Sequence, residues 1–292
     1  MSMHSFIKGS SRLTALLGYP VSHSISPQIH NHVFERLNLP FVYIPFPVPP
    51  RGLHTAIHAL RNSNFAGANV TIPHKSAVVP YCDVLSDLSR ATGTVNTLYL
   101  ENGLLCGTTT DHLGFIRSIE KMGTTLNNSH LVLLGNGGTA RTLSIALALE
   151  KPVASITIAG RNSLKVKSLA DEVYQVTGVK ADSVSFDDER LESVLNRCSI
   201  LVNCTNVGMH PDIDSTPLPK KYFRPEMTVF DAIYNPLETR FLREAREAGC
   251  KTLNGLLMLL YQGLAASKYW TGIEVPEDLF STHELEKLII RN

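Results

Sequence analysis

The feature that most constrains the fold is a glycine-rich turn between a short apolar run and a helical pattern. His130–Leu134 reads as a strand, Gly135-Asn136-Gly137-Gly138-Thr139 follows it, and a helix is predicted over Thr142–Leu149. Such a turn lets the backbone approach a pyrophosphate, and the helix N-terminus supplies N–H donors and a positive dipole end. The glycine spacing is G-x-G-G rather than the full G-x-G-x-x-G, so a tight turn without a ligand stays an alternative.

Apolar runs alternate with helical patterns along the whole chain. Strands are predicted at Leu13–Gly18, Phe41–Phe46, Gly67–Ile72, Asn96–Leu100, Leu104–Gly107, Ser155–Ala159, Ile200–Asn203, Thr228–Asp231 and near Thr252. Helices are predicted at Pro27–Leu37, Leu53–Arg61, from Pro73 onward, at Leu256–Trp270 and at Pro276–Ile290. This alternation is typical of α/β proteins, in which helices cover both faces of a parallel sheet.

Length and composition narrow the class of protein. The 292 residues suggest two domains, and 43% hydrophobic with 18% charged residues is ordinary for a globular protein. A net charge of +1 without a basic block argues against nucleic acid as a partner. The longest apolar stretch, Leu256–Leu260 and its extension to Ala266, is too short to span a bilayer. The five cysteines form no C-x-x-C pair, the N-terminus is polar, and the histidines show no metal spacing, so we expect a cytoplasmic protein with free thiols and no metal.

The end of the strand at Ser155–Ala159 bears on the choice of cofactor. NAD-selective sites usually place an acidic residue there to hold the ribose 2′-OH. This chain has Arg161 and Lys165 instead, and both cations are suited to a 2′-phosphate. The sequence therefore favours NADP over NAD, while a solvated helix start is the alternative interpretation.

Polar residues follow several of the other predicted strands. Ser26 suits the N-cap of the first helix and Pro27 its first position, but the hydroxyls of Ser24 and Ser26 beside that helix would also receive a carboxylate. Lys75 and Asp111 also follow predicted strands, where open α/β folds bind ligands.

Two later segments carry further candidates. Asn203–Met209 follows a strand at a position where a nicotinamide ring could lie. Spacings of three, four and seven place Gly255, Met258, Leu259 and Gln262 on one face of the late helix. Gln262 is suited either to a satisfied core amide or to hydrogen-bonding a polar ligand.

Taken together, these motifs resemble the shikimate dehydrogenase family, including its shikimate/quinate branch, from about Leu16 to Trp270. The resemblance rests on S-x-S-P at Ser24–Pro27, N-V-T-x-P-x-K at Asn69–Lys75, V-N-T at Val95–Thr97, T-D at Thr110–Asp111, the glycine turn, N-x-T-x-x-G-M at Asn203–Met209 and G-x-x-M-L-x-x-Q at Gly255–Gln262. The order and number of these motifs make the resemblance specific.

The resemblance implies an α/β substrate-binding domain in residues 1–111, completed by 255–292, and an inserted Rossmann-like NADP-binding domain in 112–254. It implies that Lys75 and Asp111 are catalytic. The implied substrate contacts are Ser24, Ser26, Thr71, Asn96, Tyr234 and Gln262. The implied cofactor contacts are Gly135, Gly137, Gly138, Thr139, Arg161, Lys165 and Met209, to which we add Asn136 and Gly255.

The implied reaction is the reversible NADP-dependent reduction of 3-dehydroshikimate to shikimate, a step of aromatic amino acid biosynthesis. Lys75 and Asp111 would then act as one titrating unit at the alcohol oxygen, with the proton assigned to neither. Thr109 and His112 replace residues usual in the family, so a quinate- or aminoshikimate-directed enzyme able to use NAD is an alternative. A catalytically idle metabolite sensor is a more remote one. The chain would be a monomer or a homodimer.

Overall fold

The structure is a computed structural model that describes residues 7–290. Its strands are β1 (Arg12–Gly18), β2 (Phe41–Pro47), β3 (Phe65–Val70), β4 (Val84–Leu85), β5 (Thr97–Glu101), β6 (Leu104–Thr108), β7 (His130–Leu134), β8 (Ser155–Gly160), β9 (Asp182–Ser185), β10 (Ile200–Asn203), β11 (Thr228–Asp231) and β12 (Lys251–Leu253). Its helices are α1 (Ser26–Arg36), α2 (Leu53–Arg61), α3 (Asp87–Thr92), α4 (Asp111–Lys121), α5 (Gly138–Glu150), α6 (Ser163–Thr177), α7 (Leu191–Arg197), α8 (Arg240–Glu247), α9 (Leu256–Thr271) and α10 (Thr282–Ile290). The chain forms two compact units, divided after Gly114 and after Leu259.

The first unit is built on a mixed six-stranded sheet in the order β2-β1-β3-β5-β6-β4. β1 is parallel to both β2 and β3, whereas β5 is antiparallel to β3 and to β6. The turn between β5 and β6 contains Asn102 at φ 51° and Gly103 at φ 79°. These positive φ values are the ones that the predicted Asn-Gly hairpin requires.

These strand directions bring four loops to one edge of the first sheet. Because β1 and β3 are parallel, the chain leaves both strands at that edge. Because β5 runs against β3 and β6 runs against β5, the start of β5 and the end of β6 lie at the same edge. Residues far apart in sequence therefore meet there.

Apolar side chains pack on both faces of this sheet. On one face, the apolar stripe of α2 (Leu53, Ala56, Ile57 and Leu60) joins a core with residues of β1 and β3 such as Leu17 and Val70. Elsewhere in the same unit, the Trp270 indole N–H of α9 donates to the Leu98 carbonyl at 2.9 Å. Gly67 makes room for this indole, since a Cβ there would lie 2.5 Å from Trp270 Nε1.

The second unit is a parallel six-stranded sheet in the order β12-β11-β10-β7-β8-β9. Alternate residues of β7 enter two separate cores, Leu131 and Leu133 in one and Val132 and Leu134 in the other. The predicted parallel sheet with both faces covered is therefore confirmed. The strand order reverses at β7, and ligands of such sheets bind outside the carboxyl ends of the strands at that point.

The helix predicted from Pro73 is wrong. β3 ends at Val70, before the predicted Ile72, and the chain continues in turns up to a single 3-10 turn at Val79–Tyr81. Local backbone bonds such as His74 N–H to the Thr71 carbonyl form isolated turns, while two other carbonyls pair with distant residues: the Ile72 carbonyl accepts from Tyr19 N–H at 2.9 Å, and the Lys75 carbonyl accepts from Val95 N–H at 2.8 Å. A continuous helical ladder therefore does not form over these residues.

Two predicted helix starts are also wrong. Ser26 lies inside α1 rather than at its N-cap, which is Ile25, and Pro27 is consequently the second helical residue. The Ser24 hydroxyl accepts from Ser26 N–H at 3.2 Å. α5 begins at Gly138 rather than Thr142, because the last two residues of the glycine turn, Gly138 and Thr139, already belong to the first helical turn.

The five cysteines are free thiols. No helix within residues 7–290 combines the length and apolar character needed to cross a membrane.

Candidate active site

Lys75 and Asp111 form an ion pair at the shared edge of the first sheet. Lys75 Nζ lies 2.5 Å from Asp111 Oδ2, and the two side chains are 21% and 9% exposed. Lys75 belongs to the turn that follows β3, and Asp111 is the first residue of α4, close after β6. The turn is held in place because His74 Nε2 contacts the Val48 carbonyl at 2.6 Å. The chain thus places a cation and a carboxylate, both mostly shielded from water, next to each other.

Asn96 fixes the second oxygen of the Asp111 carboxylate. Its Nδ2 donates to Asp111 Oδ1 at 2.8 Å and also contacts Thr110 Oγ1 and Gln262 Oε1. Its Oδ1 accepts from the Thr110 N–H at 2.9 Å. The carboxylate is therefore held from both sides, by an ammonium and by a buried amide, in one orientation.

Gln262 ties α9 to this cluster. Its Oε1 accepts from Asn96 Nδ2 at 3.2 Å, and its backbone carbonyl accepts from Thr110 Oγ1 at 3.0 Å. Gln262 is therefore a buried amide with partners inside the protein, and its predicted contact with a substrate stays a prediction. Its side chain nevertheless lies in the hydrogen-bond network of the Lys75–Asp111 pair.

Ser24 and Thr71 stand on the two loops that leave the same sheet edge, and Ser26 is the first residue of α1, which follows the first of these loops. Ser24 Oγ donates to Ser26 Oγ at 3.1 Å. Thr71 approaches β1 so closely that a Cβ on Gly18 would lie 2.3 Å from its methyl group. Gly18 and Thr110 were missed by the sequence analysis, although a glycine at the end of a strand is itself a signal of close backbone approach.

Tyr234 follows β11 and is half-buried in the second unit. Of the predicted substrate contacts, it is the one that belongs to this unit.

The glycine turn of the second unit has the open geometry that a ligand needs. Gly135 has φ +106°, and a Cβ there would lie 2.8 Å from the Thr205 methyl group. A Cβ on Gly137 or Gly138 would meet no heavy atom within 4 Å. Gly137 is the N-cap of α5 and provides no side-chain cap. The exposed turn, with Asn136 beside it and Thr139 in the first helical turn, leaves the helix N-terminus accessible.

Arg161 and Lys165 lie at the end of β8 and the start of α6, and both are exposed. Within the described part of the chain, neither side chain forms an ion pair. Asn162 is the N-cap of α6 and accepts from the Lys165 N–H at 3.0 Å. The other cation near the glycine turn, Arg141, pairs with Glu172 and so ties α5 to α6.

A buried polar network lies where β10 and β11 end in the same unit. Asp231 accepts from Asn203 Nδ2 at 3.0 Å, from Ile233 N–H at 3.0 Å and from Thr239 Oγ1 at 2.6 Å. Desolvation raises the pKa of Asp231 to about 7, and these three donors act in the opposite direction. The sequence analysis did not single out Asp231, although an acidic residue at the end of an apolar strand is an unusual position.

Gly255 has a packing role in the structure. A Cβ there would lie 2.2 Å from the Ala232 carbonyl oxygen. Its N–H donates to the Ile233 carbonyl and its own carbonyl accepts from Leu259 N–H. Its predicted contact with a cofactor stays a prediction.

Comparison with known proteins identifies the family. The model of the shikimate dehydrogenase substrate binding domain matches residues 16–98, and that of the shikimate 5′-dehydrogenase C-terminal domain matches residues 255–280. The shikimate dehydrogenase (NADP(+)) of Moorella thermoacetica is 42% identical over 271 residues, which cover 92% of this chain and 91% of the relative.

Solved structures of proteins from the same family are similar to this chain. Shikimate 5-dehydrogenase from Listeria monocytogenes, in complex with shikimate and NAD, has a TM-score of 0.87 and 35% identity, covering 92% of this chain and 95% of that one. Quinate dehydrogenase from Corynebacterium glutamicum, in complex with NAD, has a TM-score of 0.84 and 28% identity, with coverage of 97% and 99%. The resemblance seen in the motifs is thereby confirmed, and the chain belongs to the shikimate dehydrogenase family.

Proposed function

We propose that the chain catalyses the reversible NADP-dependent reduction of 3-dehydroshikimate to shikimate. The observation that carries this proposal is the Lys75–Asp111 pair, with its carboxylate oriented by Asn96, in a chain of this family. The relative from Moorella thermoacetica, named for shikimate and NADP(+), supports the choice of both reactants.

The first unit binds the ring acid in this proposal. The Ser24 and Ser26 hydroxyls stand at the N-terminal end of α1, where hydroxyl donors and the helix dipole both favour a carboxylate. Thr71 and the Gln262 amide provide further polar groups for ring hydroxyls. The substrate's reacting oxygen would contact the Lys75–Asp111 pair.

The second unit binds NADP in this proposal, and its residues fit the two anionic parts of that cofactor. The uncapped N-terminus of α5 and the open space above Gly137 and Gly138 suit a pyrophosphate. The exposed cations of Arg161 and Lys165 suit a 2′-phosphate, and no acidic residue stands between them to repel it. Met209 and Tyr234 would contact the nicotinamide end and the substrate, respectively.

The protein's own contribution to the reaction is the handling of a proton. NADPH, when bound, supplies the hydride that the ring carbonyl carbon receives. The Lys75–Asp111 pair delivers a proton to the carbonyl oxygen as it becomes a hydroxyl, and in the reverse direction it receives that proton. The two groups share a hydrogen bond of 2.5 Å, so in this proposal they act together at the substrate oxygen.

Steady-state rates in four combinations test the proposal: shikimate or quinate as substrate, each with NADP or NAD. We expect shikimate with NADP to give the highest kcat/KM. Formation of no reduced cofactor from either acid, at any pH between 6 and 10, would contradict the proposal.

A quinate-directed enzyme that uses NAD is the second candidate. The quinate dehydrogenase among the structural relatives favours it, as do Thr109 and His112, which are both buried next to the catalytic segment. The same four rates decide between the candidates, because this one predicts that quinate with NAD is fastest. The intact Lys75–Asp111 pair argues against an idle metabolite sensor.

We place the protein in the cytoplasm, in keeping with its free thiols.

A further inference from the structure

Three polar residues are completely buried where β10 and β11 end in the second unit. Asn203, Asp231 and Thr239 each have 0% of their surface exposed. The Asp231 carboxylate lies at their centre, with Asn203 on one side and Thr239 on the other. A buried carboxylate among apolar strands costs free energy, and an apolar residue of similar size is often as stabilising or more so. A contribution to stability alone therefore does not explain why an acidic residue stands here.

The network holds the loop that follows β10. Asn203 donates to Asp231, while its Oδ1 accepts from the N–H and the hydroxyl of Thr205 at 3.0 and 2.7 Å. The Thr205 hydroxyl in turn accepts from Val207 N–H at 3.2 Å. The loop that leads to Met209 is thus shaped by hydrogen bonds that start at one buried carboxylate.

The network also holds the loop that follows β11. Asp231 accepts from Ile233 N–H, two residues onward, and from the Thr239 hydroxyl. The Thr239 oxygen accepts from Leu242 N–H at 3.3 Å and so caps α8. Residues 232–239, which include Tyr234, are therefore fixed at both ends by the same side chain.

A contact between Thr205 and Gly135 connects this network to the glycine turn that follows β7. The Thr205 methyl group occupies the place that a side chain on Gly135 would need. The loop after β10 therefore packs against the glycine turn through Thr205, while Asn203 and Asp231 hold the loops after β10 and β11 relative to each other. A fully satisfied polar network of this kind specifies one geometry more strictly than apolar packing does.

We infer that Asp231 is a positioning residue, which holds the loops 204–209 and 232–239 in the arrangement that binds the nicotinamide half of NADP. The inference rests on the proposed function. The adenosine half of the cofactor would depend on the loop after β8, which the network does not include. Loss of Asp231 should therefore weaken the binding of whole NADP but leave the binding of its adenosine end unchanged.

Calorimetric titrations of Asp231→Asn with two ligands test this inference. The ligands are NADP and adenosine 2′,5′-bisphosphate, which carries the 2′-phosphate but no nicotinamide. In the variant the Thr239 hydroxyl loses its carboxyl acceptor, so we expect NADP to bind about tenfold more weakly. The bisphosphate should bind as it does to the unmodified protein. Equal affinity for NADP in variant and parent, or an equal loss for both ligands, would overturn the inference.

A matched pair at Thr239 makes the test independent of whether Asp231→Asn folds. Thr239→Val keeps the shape but removes the hydroxyl, whereas Thr239→Ser keeps the hydroxyl. We expect the valine variant to lose NADP affinity selectively and the serine variant to retain it. Equal NADP affinity in the two variants would overturn the inference. A parent protein that binds neither ligand would contradict the proposed function itself, and this inference with it.

Discussion

Asp111 is held by two donors of different character, and this arrangement keeps its carboxylate in one orientation. Oδ2 faces the Lys75 ammonium and Oδ1 faces the Asn96 amide. Hydrogen bonds to charged groups are shorter and stronger than neutral ones. The amide therefore keeps the carboxylate aligned even when its contact with Lys75 changes during catalysis.

Replacement of Asn96 by alanine should harm both stability and activity. It removes the partners of Asp111 Oδ1 and of Thr110 N–H, and each buried group left without a partner costs about 1–3 kcal/mol. We expect the free energy of unfolding in urea to fall by roughly 2–4 kcal/mol and kcat to fall with it. The control is Asn62→Ala, at an exposed position that donates to the His58 carbonyl. Equal stability of the Asn96 and Asn62 variants would refute this role for Asn96.

Replacement by alanine should lower the stability of the protein at Gly255 and its affinity for NADP at Gly137. Gly255→Ala drives a methyl group to within 2.2 Å of the Ala232 carbonyl oxygen, and such overpacking costs about 1–3 kcal/mol. Gly137→Ala adds a methyl group in open space at φ −80°, so its thermal stability should be unchanged. In exchange, that methyl group should lower the affinity for NADP at the turn. Thermal unfolding and calorimetric titration of the two variants check this; an unchanged NADP affinity in Gly137→Ala would count against the predicted cofactor turn.

At the scale of elements, the segment from the end of β8 to the first turn of α6 should determine whether the protein prefers NADP or NAD. Removing both cations in Arg161→Ala/Lys165→Ala should raise the KM for NADP roughly ten- to a hundredfold, because charge-assisted bonds to the 2′-phosphate are lost. The KM for NAD should change little, since NAD has no phosphate there. Lys167→Ala is a matched control on the same helix, because Lys167 is already paired with Asp171 at 2.6 Å. A parallel rise for both cofactors would refute the assignment.

The sequence made some of these elements much easier to predict than others. The buried strands β7, β10 and β11 have apolar residues at their centres, and they were predicted to within a residue because burial on both faces favours that composition. β9 was missed since its residues Asp182–Ser185 are mostly polar, as an edge strand permits. The turn after β3 was mistaken for a helix because two of its carbonyls, those of Ile72 and Lys75, accept from residues that lie far away in sequence.

The candidate site, too, could be predicted only in part from the sequence. The motifs indicated Lys75, Asp111 and Asn96 separately, but only the antiparallel β5–β6 hairpin brings Asn96 to Asp111. Strand pairing of this kind is tertiary structure, and a local sequence pattern does not predict it. Asp231 escaped notice because its partners Asn203 and Thr239 are recognisable only once the neighbouring strands are placed.

At the scale of the whole molecule, one buried histidine should make stability depend on pH. His30 stacks on Tyr43 at 4.3 Å between ring centroids and contacts Ser267 Oγ at 2.9 Å. Burial lowers the pKa of His30 to about 3, from 6.5. Between these two values the unfolded chain binds a proton that the folded chain does not, so the free energy of unfolding falls as pH decreases, by about 1 kcal/mol for each pH unit.

Urea unfolding between pH 7 and pH 5 measures this effect, with the fluorescence of Trp270 as the reporter. Trp270 is the single tryptophan, and its ring lies 5.2 Å from that of His30. We expect His30→Gln to be less stable at pH 7 but to show a flatter dependence on pH. His54→Gln, at an exposed position, should keep the parental slope. The same slope in the parent and in His30→Gln would show that another group governs acid sensitivity.

The most direct measurement for the whole account is the kinetics of Lys75→Met with shikimate and NADP. Methionine is an unbranched side chain only one atom shorter than lysine but cannot carry a proton, and positioned proton transfer contributes about 10²- to 10⁴-fold to rate. The account predicts a fall in kcat of that size, as also in Lys75→Ala, with a far smaller change in KM for shikimate. Equal changes in kcat and KM, or a kcat close to that of the parent, would contradict it.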